Sequence, residues 1–231
     1  MKKLRTTITG AAFLAFTGAA SAANVTATVD PVYDWSGAYV VASIGGVNQR
    51  TDFFEDYFNH SFSDSAFGAI VGGGLGYNVQ QESVVFGLEA DISFLTGHTS
   101  EFVNTGDYVS AGNNWAAESE ISALGTLRGR IGYAVGESLF YATGGLAYGR
   151  VHNSSSWPFY SDTTYDTDKK SWEVGWVLGG GVETAISESW TLRAEGLYVD
   201  LGGSKNEDSH GFKYGFGNTA AIGKLSVSYR F

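Results

Sequence analysis

The chain of 231 residues contains no cysteine, which removes disulfide frameworks, thiolate metal sites and cysteine nucleophiles together. Prolines number only two, and both fall outside the segments that read as strands. Beyond the N-terminal segment there is no run of 18 apolar residues, so no transmembrane helix is expected. Charged residues make up only 16% of the chain, and the balance is acidic. Lys2, Lys3 and Arg5 form a basic start, Ile8 to Phe16 an apolar stretch, and Ala20-Ser21-Ala22 an A-x-A site. That order is a secretory signal over 1–22, with cleavage after Ala22 or Ala23. Its removal leaves 11 basic residues against 24 acidic ones, a balance that excludes nucleic acid as a partner.

What the chain does have is glycine (32 residues) and aromatics (15%), arranged with a period of two. Strands are expected at about 36–50, 65–79, 83–97, 117–134, 138–151, 171–185, 189–202 and 218–231. Connections alternate between three-residue turns, such as Gln80-Gln81-Glu82, and long loops at roughly 51–64, 98–116, 152–170 and 203–217. Eight antiparallel strands with short turns at one end and long loops at the other predict an all-β transmembrane barrel. The domain plan is a signal peptide (1–22), a periplasmic lead-in (23–34) and an outer-membrane barrel (35–231).

Charge and apolar surface occupy opposite parities in five strands. Glu89 and Asp91 oppose Phe86, Leu88, Ile92 and Phe94. Glu120, Arg128 and Arg130 oppose Ile121, Ala123, Leu127, Ile131 and Tyr133. Glu173 and Glu183 oppose Trp172, Val174, Trp176 and Leu178, and Arg193 and Glu195 oppose Trp190, Leu192 and Tyr198. In the last strand Lys224 and Arg230 share the polar parity, where Ile222 is the one apolar residue. A period of two sends the two sets to opposite faces. The apolar faces end in aromatics, which places them against lipid between two girdles. The eleven charged residues then point into a lumen that side chains fill, and six acids against five bases make an ion-pair core. A narrow ion-conducting path through that lumen is the alternative. Strands one, two and five are too rich in glycine for their faces to be assigned.

The segments WSGAYV (35–40), GGGLGYNVQ (72–80), VFGLEADI (85–92), LGTLRGRIGYA (124–134), LFYATGGLAYG (139–149), GWVLGGGVE (175–183), WTLRAEGLYVDLG (190–202) and the closing SYRF carry a resemblance. Together they resemble the small eight-stranded outer-membrane β-barrels of alpha-class Gram-negative bacteria. That group, often labelled "porin family", includes abundant surface proteins and hemin-binding proteins. The chain departs from it in strand one, where Val41-Ala42 stands in place of a glycine pair. The resemblance implies a place in the cell outer membrane, with lipid and lipopolysaccharide as neighbours. It also implies that Tyr229 and Phe231 form the signal read by the barrel-assembly machinery during insertion. It supplies no catalytic residues.

Two function classes follow. One is a structural surface protein, holding the envelope together and touching a host or environmental ligand through acidic, aromatic loops such as TDFFEDYFNH (51–60). The other is a hemin-binding receptor, since His60, His98, His152 and His210 fall one to each long loop and imidazole ligates heme iron. No metal site is expected. The clusters His98-Ser100-Glu101 and Asp208-Ser209-His210 are sequence neighbours rather than a positioned triad, so no enzyme is expected. No soluble peptidoglycan-binding domain is expected after the barrel.

Overall fold

A computed structural model describes residues 33–55, 60–96, 100–104, 115–159, 163–207 and 213–231, with side chains outside 53–64, 96–120, 152–171 and 203–216. All of them belong to one compact unit, Pro31–Phe231. The strands are β1 (Gly37–Glu55), β2 (His60–Gln81), β3 (Val84–Thr96), β4 (Ser100–Asn104), β5 (Trp115–Val135), β6 (Ser138–Phe159), β7 (Thr163–Ala185), β8 (Trp190–Glu207) and β9 (Lys213–Arg230). β1 pairs with both β2 and β9, and β3 with β5, so the sheet closes on itself. β3 and β4 lie one after the other along β5. The wall is therefore an antiparallel barrel of eight strand positions, as the alternation of short and long connections predicted.

Several strands run well past their expected ends. β1 and β2 stay paired out to Glu55↔His60, and β6 and β7 out to Phe159↔Thr163. Those outer lengths carry few apolar residues in alternation. A strand that has left the bilayer has no lipid-facing side, so its period-two signal fades while its ladder continues.

The apolar parity faces outward. Leu88 (67% exposed), Leu178 (59%) and Leu225 (63%) are surface residues, while the opposite parity is buried. Trp190 stacks edge-on with Tyr229 and Tyr229 with Phe231 at the end of the short turns. Trp176 contacts Tyr198 ten residues up the wall. β7 and β8 pair over ten positions, from Trp176↔Asp200 to Ala185↔Thr191, the length a tilted strand needs to cross the hydrocarbon. The bilayer thus lies between those two aromatic levels.

One face assignment is corrected. The β5–β6 register shifts between Ile121 and Ala123, and this bulge exchanges faces on the β5 side. Ile121, expected against lipid, is instead buried in the lumen at 3% exposure. Ile222, the odd residue of the last strand's polar parity, does point inward with that parity, and packs with Ile121 in the same apolar cluster.

The glycines of β1, β2, β6 and β7 find their explanation in the register. Six of the eight charged side chains of the lumen core stand directly opposite a glycine on a neighbouring strand. Glu89 faces Gly76 and Asp91 faces Gly74; Arg130 faces Gly87 and Arg128 faces Gly145; Glu195 faces Gly181 and Lys224 faces Gly45. A small barrel has room for a large inward group only where its neighbour has none. A Cβ at Gly145 would collide with the Leu127 carbonyl and crowd the Arg128 backbone. Gly145→Ala should therefore destabilise the barrel by about 1–3 kcal/mol, read as a lower urea midpoint in lipid. Gly129→Ala, where the built Cβ meets only the Gly144 carbonyl at 3.9 Å, is the control and should change little.

Candidate functional site: the lumen

The lumen is built in three layers. At the end of the short turns Trp35, Val85, Ala134, Leu139 and Tyr141 form an apolar floor, with Tyr33 packed against it. Tyr33, from the segment expected only to lead in, thus packs against the floor at the barrel's turn end. Trp35 is 2% exposed, and its backbone N–H donates to Gln80 Oε1 at 2.7 Å. The Tyr33 hydroxyl donates to the Glu188 carbonyl (2.8 Å) beneath the Arg230 guanidinium, 4.5 Å from the ring. Toward the long connections a second apolar layer, including Val47, Ile70, Leu95, Ile121, Val177, Leu201 and Ile222, fills the bore.

Charge lies between those layers. Arg128 is the hub, with its guanidinium 2.5 Å from Glu89, 3.2 Å from Asp91 and 3.0 Å from Glu195. Arg193 joins Glu89 (2.6 Å) to Glu183 (3.1 Å). Arg130 also meets Glu183 (3.0 Å), and Lys224 meets Asp91 (3.0 Å). Four carboxylates and four cations are present in this layer, so its formal charge is zero. Neutral groups add further hydrogen bonds to this layer. The Tyr39 hydroxyl donates to Glu89 (2.7 Å), the Tyr141 hydroxyl to Glu195 (2.8 Å) and the Thr191 hydroxyl to Glu183 (2.6 Å). Thr126 donates to Asp91, and Arg130 Nε to the Asn78 side-chain carbonyl at 2.9 Å. The Arg130 and Arg193 guanidiniums sit 4.9 and 5.5 Å from the Tyr39 ring centre. Buried ions hold their place only when paired and hydrogen-bonded in this way.

Of the eleven charges expected in the lumen core, two are found elsewhere and one falls outside the described side chains. Glu173 sits above the outer apolar layer, half-buried, accepting from Asn218 Nδ2 at 3.3 Å. Arg230 sits at the turn end, where it donates to the Glu188 carbonyl at 2.9 Å. The Glu120 side chain lies outside the described residues. Tyr39, Tyr141 and Asn78 were missed by sequence reasoning, on strands whose faces could not be assigned, yet each stands opposite a glycine on a neighbouring strand, Gly76, Gly132 and Gly87 respectively. That pairing is the signal that could have found them.

Above the outer layer, Gln49 is fully buried with neither amide atom hydrogen-bonded. Nearby Thr51 donates to Asn218 Oδ1 at 3.2 Å. An unpaired buried amide costs about 1–3 kcal/mol. Gln49→Leu should be neutral or stabilising, and a loss above about 1 kcal/mol in urea unfolding would show that ordered water satisfies the amide. His98 and His210 lie outside the described residues, as do the side chains of His60 and His152. Among the described residues no cluster of His, Asp and Glu could hold a metal ion.

A family model described as the outer membrane protein beta-barrel domain matches residues 9–231. The chain belongs to that family. It is 34% identical over 196 residues to the 31 kDa outer-membrane immunogenic protein of Brucella melitensis, covering 76% of this chain and 75% of the relative. It is 31% identical over 206 residues to the 22 kDa outer membrane protein of Rhizobium leguminosarum, covering 89% and 82%. Among solved structures, OprG of Pseudomonas aeruginosa superposes with a TM-score of 0.53 at 12% identity, over 85% of this chain and 96% of that one. That likeness shows the fold alone. This barrel protein thus belongs in the outer membrane, with relatives among the outer-membrane proteins of Brucella and Rhizobium.

Proposed function

We propose that this outer-membrane barrel is a non-catalytic structural surface protein, a sealed anchor that carries long strand extensions outside the cell. One observation supports the reading above others: the bore is filled from floor to roof, with a charge-neutral ion network locked between two apolar layers. A path for ions would have to cross both layers, and each imposes the cost of taking a charge out of water. The wall itself is what continues outward, since β7 is 23 residues long and only about ten of them cross the bilayer. Surface contact is therefore the work left to the part that protrudes. The Tyr229 and Phe231 pair, stacked on Trp190 at the turn end, is suited to reading by the assembly machinery as the chain inserts.

Planar-bilayer recording on the refolded protein tests the sealed bore. No unitary current is expected at ordinary voltages. Steps that vanish when Arg128 or Arg193 is replaced would return the chain to the conducting class. In parallel, hemin titration followed at the Soret band should give no saturable binding, and one-to-one binding lost on replacing His60, His98, His152 and His210 by Ala would make it a receptor.

A further inference from the structure

The wall closes where its first strand meets its last. Every other pair of neighbouring strand positions is consecutive in the chain. β1 and β9 come from opposite ends of it, and they pair from Tyr39↔Arg230 outward to Glu55↔Tyr214. No turn ties them together at either end. Joining segments so far apart carries the largest loop-closure cost of any pairing in the wall. This seam therefore has the most to gain from a fastening at the turn end.

The segment 33–36, which forms no strand, reaches all three short turns. The Tyr33 N–H donates to the Gly136 carbonyl in the β5–β6 turn at 3.2 Å. Its hydroxyl reaches the Glu188 carbonyl in the β7–β8 turn, and the Trp35 N–H reaches Gln80 Oε1 beside the β2–β3 turn. Arg230 of β9 donates to the same Glu188 carbonyl, with its guanidinium on the Tyr33 ring. On the β2 side, Asn78 Nδ2 donates to the Trp35 carbonyl at 3.2 Å and the Gln80 N–H to Ser36 Oγ at 3.1 Å. Trp35 and Ser36 are thus held on the β1–β2 side of the seam, while Tyr33 is held by β9 and the turns beyond it. Two local features shape the crossing. Gly37 has a φ of 121°, a backbone that favours glycine, where the chain leaves β1. Asp34 Oδ1 then accepts the Ser36 N–H at 2.9 Å, a tight turn within the segment.

We propose that residues 33–36 are a hinged latch on the closing seam, which docks once β1 has met β9 and then keeps that pairing from unzipping at the turn end. A segment of this length spans at most about 14 Å, so Arg230 and Glu188 come within its reach only when the first and last strands are side by side. Opening the seam from the turn end must pull Tyr33 away from Arg230, Glu188 and Gly136 before the Tyr39↔Arg230 pair can part. The latch concerns the assembly of the barrel and is independent of what its outer surface touches.

The test is residue-resolved amide exchange on the refolded full barrel in lipid nanodiscs. The Phe231 N–H donates to the Ala38 carbonyl, and backbone groups alternate sides along an antiparallel strand. Val40 and Ala42 therefore direct their N–H groups at β9, and Val227 and Tyr229 theirs at β1. The Ala185 N–H donates to the Glu137 carbonyl, which by the same rule puts Leu139, Tyr141, Gly181 and Glu183 in the β6–β7 ladder. Tyr33→Ala should speed exchange of the seam amides about tenfold or more and leave the β6–β7 amides unchanged. Gly37→Ala keeps every latch side chain but strains the hinge, and should do the same. Because the chain has no cysteine, a single disulfide can supply the rescue. Val41 and Ser228 face each other across the seam as a non-hydrogen-bonded pair, about 4.5 Å apart at Cα, a distance a disulfide spans. Val41→Cys with Ser228→Cys should cancel the effect of Tyr33→Ala. Three outcomes would overturn the proposal: seam amides unchanged in one variant or both, equal acceleration in the two ladders, or an acceleration that persists once the seam is bonded.

Discussion

Replacing Arg128 by Met should lower the unfolding free energy of the refolded barrel by about 3–5 kcal/mol, read from urea titrations followed by tryptophan fluorescence in lipid. The reason is not that an ion pair is worth so much. Arg128 touches Glu89, Asp91 and Glu195 at 2.5–3.2 Å, and its side chain is 2% exposed. Its removal leaves one uncompensated charge in a layer roofed and floored by apolar side chains. The same reasoning fixes the rescue. Adding Glu195→Gln to Arg128→Met restores neutrality, and Tyr141 can still donate to the amide oxygen. The double variant should therefore regain a large part of the loss, although two charges have gone. Single and double variants that lose equally would show that packing around the guanidinium, not charge balance, holds the layer.

That layer also shows how far the sequence could be read. Its charges were visible because a period-two pattern separates them from lipid-facing residues in β3, β5, β7, β8 and β9. The strand count and the closure followed from connection lengths. The glycine-rich strands resisted, because a face without side chains has no hydropathy, and β2 reads GGGLGY for that reason. Their meaning lies between strands, in Gly74 and Gly76 making room for Asp91 and Glu89. A single strand cannot reveal that. Ile121 was misplaced because one extra residue in β5 reverses parity, and a bulge at Ser122 leaves no mark in composition. Strand ends were set too short for a related reason: outside the bilayer the ladder no longer needs an apolar side. The three-layered lumen was half legible. Ile222 on a charged parity was its trace, and alone it looked like an exception.

The outer surface gives the second large effect. Leu127 is 54% exposed on β5, opposite Ala90 and Leu146 on the strands beside it. It stands six residues above Tyr133 of the lower aromatic level, which puts it near the bilayer midplane at about 3.3 Å per residue and 40° of tilt. Leu127→Arg should cost about 2–4 kcal/mol in lipid, since a cation at that depth has no partner and can only snorkel or thin the bilayer. The same change at Tyr133, by the interface, should cost roughly 0–1 kcal/mol. The gradient between the two sites matters more than either value, because a general loss of packing would not depend on depth. Equal costs at both positions would mean that the bilayer does not lie between the Trp190–Tyr229 and Trp176–Tyr198 levels.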